Sequence, residues 1–326
     1  MDIACSTDDN YAMPTGVMLT SLFENNKGES IHVHVMHGGL QKENADRLRA
    51  VAEAYGQTIS FRLVDKAQTG DLPIGRDWQN EHVGQSVATY YRLFLARLLP
   101  EGVERVIYLD GDMLVLGSLR GLWHTDMQGK AVAAVPDAYT DYPVHYNRLR
   151  YPQREGYFNA GMMLVNLDHW RENGMTERFV RYIRDNADRL AYHDQDVLNA
   201  VLRHEKVTLP LKYNMLDEYW FAPGQSIVSW QYEEQMKEGR QNPVIVHFTC
   251  VPKPWYSNCK HPCKKLFDRY LAMTPWRGRR QRPWMKPSYL AERLCAKAVV
   301  MAGLRKADYL IENKYVKLDQ KEGKGL

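Results

Sequence analysis

The sequence predicts an α/β protein with an open, mostly parallel sheet, and three observations point there. Strand-like and helix-like segments alternate through the first hundred residues. A run of strand length, Val106, Ile107, Tyr108 and Leu109, is wholly apolar, as in a strand covered on both faces. A second such run, "MMLVNL" at 162–167, is followed by two helical patterns.

The elements follow in order. "DIACST" (2–7) is a short strand ending in the polar cluster Asp8-Asp9-Asn10, and residues 16–22 read as a helix. "SIHVHVMHGG" (30–39) alternates with period two, as a strand does. "KENADRLRAVAEAYG" (42–56) has helical spacing and a terminal glycine stop, and "TISFRLVD" (58–65) is the third strand. This βαβαβ order places helices on both faces of a sheet. "HVGQSVATYYRLFLARLLP" (82–100) reads as a helix before the "RVIYLD" strand. "MTERFVRYIRDN" (175–186) and "HDQDVLNAVLRH" (193–204) read as two more. No G-x-G-x-x-G follows the first strand, so the dinucleotide fingerprint is missing. Domain-like composition runs over 1–274, until "TPWRGRRQRPWMKPSY" breaks it, leaving 275–326 as a basic, aromatic tail.

Bulk properties narrow the class. With 326 residues, 44% hydrophobic and 25% charged, the chain can bury a large core without disulfides. No apolar run approaches the ~20 residues needed to span a bilayer. "MDIACSTDDN" lacks the features of a secretory signal, so the expected location is cytoplasmic. The five cysteines fit that compartment as free thiols. Of the net charge of +4, residues 275–326 carry 13 Lys and Arg against 5 Asp and Glu, which leaves 30 basic and 34 acidic residues elsewhere. A nucleic-acid-binding core is thereby disfavoured.

Asp110 and Asp112 interrupt two apolar runs. Ligands of open α/β sheets sit beyond the carboxyl ends of the strands, where this pair falls. Side chains at i and i+2 of an extended chain share a face, and Gly111 allows close backbone approach. Two carboxylates so close call for a counter-charge, for which a divalent cation such as Mg²⁺ or Mn²⁺ is economical. The competing reading is a solvated Asp-Gly-Asp turn.

Together the motifs give a more specific pattern. "DDNY", "YYRL" (90–93), "YLDGDMLV", "YFNAGMMLVNL", "HDQDVLNAV" and "HFTCVPKPW" occur in this order over residues 1–260. In this the chain resembles family 8 of the retaining glycosyltransferases, which contains glycogenin and the bacterial lipopolysaccharide galactosyl- and glucosyltransferases. The resemblance implies a GT-A fold: a single Rossmann-like domain that binds a nucleotide sugar and a divalent metal, usually Mn²⁺, with Mg²⁺ as the alternative.

The resemblance also implies site roles. Asp8, Asn10 and Tyr11 would hold the uridine, with Tyr11 able to stack on the base. Asp110, Asp112 and His247 would bind the metal, and a mixed imidazole and carboxylate set favours Mn²⁺. Lys253 would meet the diphosphate, and Arg92 would touch the donor sugar and brace the carboxylate pair. Asn159 and Ala160 would line the sugar pocket. Asp194 would hold the sugar hydroxyls, and Gln195 would lie beneath the anomeric carbon. Asp194 also stands where it could cap a helix. A glutamine is a poor nucleophile, so retention is expected by front-face substitution, with Asp194 the weaker candidate for a covalent intermediate. The chain departs from the family at Cys250, which replaces a glycine beside the phosphates, and in residues 139–153, which match no pattern.

The expected substrates are UDP-glucose or UDP-galactose and a glycan or glycolipid acceptor such as lipopolysaccharide. The tail resembles segments that attach family members to the inner face of the membrane. Trp276, Arg277, Arg279, Arg280, Arg282 and Trp284 suit such a surface, and residues 288–304 suit an interfacial helix. Cys250, Cys259 and Cys263, near His247 and His261, read as free thiols, because only one Cys-x₃-Cys spacing suits zinc. Two other functions compete. A phosphatase using the Asp pair would need Ser or Thr at 114, where Leu114 stands. A non-catalytic membrane scaffold is the other.

Overall fold

The computed structural model describes residues 1–65, 87–221, 228, 230–279 and 281–284. Strands β1 (Asp2–Ser6), β2 (His32–His37) and β3 (Thr58–Leu63) alternate with helices Ala12–Glu24 and Lys42–Glu53, the expected order. After them come β4 (Arg105–Leu109), β5 (Met113–Val115), β6 (Val132–Pro136), β7 (Phe158–Asn166), β8 (Lys206–Thr208), β9 (Met215–Leu216) and β10 (Ile245–His247). The large sheet is seven-stranded, in the order β3-β2-β1-β4-β7-β6-β8. Its neighbours are parallel except at β7, which runs antiparallel to β4 and β6. A small sheet, β5-β10-β9, stands beside it.

Alternation along β4 explains why its run is apolar throughout. Ile107 and Leu109 face one core, while Val106 and Tyr108 face the other. Helix Ala12–Glu24 is the centre of the first core and is buried from Ala12 through Phe23. Pro14 sits in its first turn, where a missing N–H costs nothing. Tyr90, Phe94, Trp170 and Phe179 build the second core on the opposite face. Each fully buried Leu or Phe contributes about 1.5–3 kcal/mol of transfer free energy.

The arrangement positions one spot in particular. Between β4 and β5 the chain leaves the large sheet for the small one, and residues 110–112 make that step. Antiparallel pairing sets Met113 opposite His247, and the Phe248 N–H donates to the Asp112 carbonyl at 3.0 Å. On the other side the Asp110 N–H donates to the Gly161 carbonyl of β7 at 2.9 Å.

Two expectations need correction. The helix expected over 82–100 is, within the described residues, a 3₁₀ segment Val87–Phe94 followed by one α turn, Leu95–Leu98. Tyr90, Tyr91, Arg92, Leu93, Phe94 and Leu95 are all buried. Burial on every side, rather than along one stripe, overrides an amphipathic helix here.

The second correction concerns Trp276. It is 5% exposed and packs on helix Ala12–Glu24, so close that a Cβ at Gly16 would come within 2.4 Å of its ring. The Arg47 guanidinium lies over it at 5.7 Å. An aromatic residue among arginines suggested an interfacial ring, yet this ring belongs to the core. Trp276→Ala is expected to cost about 3–5 kcal/mol in chemical denaturation. A cost below about 1 kcal/mol would contradict this packing. Residues 281–284 also return to the domain, where the Trp284 N–H donates to Asn258 Oδ1 at 2.8 Å. Arg277, Arg279 and Arg282 are exposed, while Arg280 and residues 288–304 lie outside the described residues. Among the described residues no helix is long and apolar enough to cross a membrane.

Candidate active site

Asp110 and Asp112 both turn toward His247, and one ligand atom from each lies within 4.8 Å of the others. Their counter-charges come from the protein. Asp110 Oδ1 accepts from Arg92 Nη2 at 2.8 Å and from the Tyr108 hydroxyl at 3.1 Å. Asp112 Oδ2 accepts from Lys253 Nζ at 2.8 Å, and its Oδ1 lies 3.3 Å from His247 Nε2. A metal ion is an economical neutraliser of such a pair. Each carboxylate also has a protein cation beside it, Arg92 for Asp110 and Lys253 for Asp112. Burial pushes the Asp112 carboxyl up, but Lys253 and His247 outweigh it and hold it well below the usual carboxylate range. Burial pulls the Lys253 ammonium down, and Asp112 more than restores it.

The case for a metal rests on hydrogen-bond polarity. A carboxylate only accepts, so Asn159 Nδ2 donates to Asp137 Oδ2 at 3.1 Å. Asn159 Oδ1 therefore accepts from Asn214 Nδ2 at 3.0 Å. Asn214 Oδ1 is left facing His247 Nδ1 at 3.1 Å, so Nδ1 carries the proton. The lone pair of His247 Nε2 then faces Asp112 Oδ1, acceptor against acceptor. A positive ion must stand between them, either a second imidazole proton or a metal. This is the second-shell pattern of a ligating histidine. Two carboxylates and one imidazole fit a divalent ion.

Gly161 is indispensable to this geometry. A Cβ there would lie 2.3 Å from His247 Cε1 and 2.8 Å from Asp110 Oδ2. Glycine inside a buried strand is the sequence mark of such close approach, and only its neighbours Asn159 and Ala160 were singled out beforehand.

Beside the carboxylates lies a cavity of about 300 Å³ whose lining includes Asp137, Asp194, Gln195, Glu218 and His247. Arg92, nearly fully buried, spans its wall: Nε pairs with Asp194 Oδ2 at 3.0 Å and Nη1 donates to the Ala160 carbonyl at 2.6 Å. Burial drives the Asp194 carboxyl up to about 6 against the pull of Arg92. Asp194 lies in the first turn of helix His193–Leu202, which Tyr192 precedes as N-cap, so it is not the cap itself. His193 just before it has φ of 50°, left-handed and costly for a side chain of this size. Such strain is often stored at functional sites. Gln195 Oε1 accepts from the Ala160 N–H at 3.0 Å, and its Nε2 donates to Asp137 Oδ2 at 3.3 Å.

The remaining expected residues divide. Tyr11 lies near enough to Asp112 and Lys253 to feel both charges, with its ring edge-on to Trp255 at 5.5 Å. Asp8 Oδ1 is engaged in a local turn, accepting from the Asn10 and Tyr11 N–H groups at 2.9 Å each. Asn10 is exposed, and neither Asp8 nor Asn10 lines the cavity. The Cys250 thiol donates to Glu218 Oε1 at 3.5 Å, and among the described residues Cys250, Cys259 and Cys263 form no metal-ligand group. Asp137, Asn214 and Glu218 were not foreseen, since each reaches the site through tertiary contacts that no local motif announces.

Residues 2–259 match the family model described as Glycosyl transferase family 8. General stress protein A of Bacillus subtilis (strain 168) is 32% identical over 280 residues, which cover 85% of this chain and 94% of that protein. A lipopolysaccharide 1,2-glucosyltransferase of Escherichia coli is 28% identical over 85% of this chain and 79% of its own. The crystal structure of galactosyltransferase LgtC with donor and acceptor sugar analogues superposes with a TM-score of 0.72. That match covers 90% of this chain and all of LgtC at 23% identity, a likeness of fold.

Proposed function

The chain belongs to glycosyl transferase family 8, and from that premise we propose that it is a retaining hexosyltransferase. It would move glucose or galactose from a UDP-sugar to a glycan or glycolipid acceptor, as in lipopolysaccharide synthesis. The observation carrying this reading is the convergence of Asp110, Asp112 and His247 beside a cavity walled by Arg92, Asp194 and Gln195.

Asp110, Asp112 and His247 would hold a divalent ion, Mn²⁺ by donor type, which when bound neutralises charge on the diphosphate. Lys253, now on Asp112, is placed to transfer its ammonium to phosphate oxygens as charge grows on the leaving group. Tyr11 would flank the nucleotide, with Asp8 and Asn10 beside it at the end of β1. Within the cavity, Asp194 and Arg92 would bind sugar hydroxyls, and Asn159 holds the wall through Asp137 and Asn214.

The same contacts speak to stereochemistry. The Gln195 amide is neutral and already bonded at both ends, and Asp194 is paired with Arg92. Asp196 is fully buried, accepting from the Tyr157 hydroxyl at 2.8 Å and paired with Arg148. None of these three is an unengaged nucleophile, which favours acceptor attack from the leaving-group face over double displacement through any of them.

The test is hydrolysis of UDP-glucose and UDP-galactose with and without Mn²⁺, the released sugar's anomer being read by NMR. One donor should turn over, only with metal, giving the α-hexose first. A β-hexose product, or no turnover of either donor, would defeat the proposal. Membrane attachment of a cytoplasmic enzyme through residues 275–326 belongs to the same reading, supported by exposed Arg277, Arg279 and Arg282. Cosedimentation with anionic vesicles should be lost on raising salt and on Arg277→Glu/Arg279→Glu, and binding unmoved by either would remove it.

A further inference from the structure

We propose that Asp2, His32 and His34 form a second divalent-metal site, suited to a borderline ion such as Zn²⁺, at the far end of the sheet from the cavity. β1 and β2 are parallel, with Asp2 directly opposite His32. The period-two alternation of β2 puts His32 and His34 on one face. One ligand atom from each of the three residues lies within 4.8 Å of the others. A single carboxylate oxygen, Asp2 Oδ1, is the focus: His34 Nε2 lies 2.9 Å from it and His32 Nδ1 3.9 Å.

Second-shell support is present. The other nitrogen of His32 is 2.7 Å from Ser60 Oγ on β3, the hydroxyl contact that orients a ligating imidazole. The His32 and His34 rings lie 4.1 Å apart, centroid to centroid. His34 is fully buried, while the side chains of His32 and Asp2 are 36% and 28% exposed, which leaves an ion a way in. Two imidazoles and one carboxylate are a zinc-type donor set, with remaining positions left to water. A hard, carboxylate-rich site would select Mg²⁺ or Ca²⁺ instead. Arg62, on β3, is close enough to act on His32 electrostatically and opposes a bound cation.

That opposition gives a two-sided test on the full chain after chelator stripping, by Zn²⁺ competition against a chromogenic chelator. His32→Ala removes a half-exposed ring and should weaken one Zn²⁺ equivalent at least tenfold. Mn²⁺-dependent UDP-sugar hydrolysis should be unchanged in that variant. Arg62→Gln should tighten the same equivalent severalfold, a gain that loss of fold cannot imitate. The proposal fails if wild type and His32→Ala bind Zn²⁺ alike. It fails equally if Asp112→Asn alone abolishes all Zn²⁺ binding, because the ion would then belong to the cavity. The site stands or falls independently of the sugar-transfer reading, since Zn²⁺ binding is read without turnover.

Discussion

Asp112→Asn is expected to reduce UDP-sugar turnover by about 10³-fold, the largest effect of any single change in the site. The asparagine keeps the shape but gives up the charge that faces both His247 Nε2 and Lys253 Nζ. A second consequence follows from burial. Lys253 would be left without its paired carboxylate, keeping its hydrogen bonds to the Phe248 and Thr249 carbonyls. An unpaired buried charge of this kind costs about 3 kcal/mol, which denaturant melts of the metal-free protein would register. Asp112→Asn combined with Lys253→Met should regain most of that stability and none of the activity. Were the double variant active, Asp112 would be serving only as a counter-charge to Lys253, and its proposed metal role would be lost.

Gly161→Ala is the next largest. One added methyl falls 2.3 Å from His247 Cε1, a distance no relaxed structure tolerates. Either the imidazole swings away from Asp110 and Asp112 or β7 shifts, and β7 is held by pairing to β4 and β6. Displacement of a ligand by about 1 Å costs on the order of 100-fold in rate. The signature separating this from general instability is a rise in the Mn²⁺ concentration needed for half activity, with the far-UV spectrum unchanged. An alanine variant with wild-type metal dependence would show that His247 lies outside the working site.

The site was legible where chemistry is written locally. Asp110-Gly111-Asp112 after an apolar strand, His247 after "PVIV" and the Asp194-Gln195 pair all stand in short motifs, and the fold brings them together. Asp137 and Asn214 were hidden because they act through partners distant in sequence: Asp137 meets Asn159 across 22 residues, and Asn214 meets His247 across 33. Two misreadings share a cause. Residues 82–100 were read as one helix and the Trp276 ring as an interfacial anchor. Packing decided both, one by burial on every side and the other by a glycine at residue 16 that leaves room for the indole. The parallel order of β1 to β3 was readable because each strand, helix and stop signal agreed. The antiparallel insertion of β7 was not, because strand direction has no local signature.

The most direct test of the central claim is calorimetric titration of UDP into the chelator-stripped protein, with and without Mn²⁺, in wild type and His247→Ala. The account predicts that UDP binds wild type at least tenfold more tightly with Mn²⁺ and that this gain disappears in His247→Ala. Equal UDP affinity with and without the ion in wild type would contradict it.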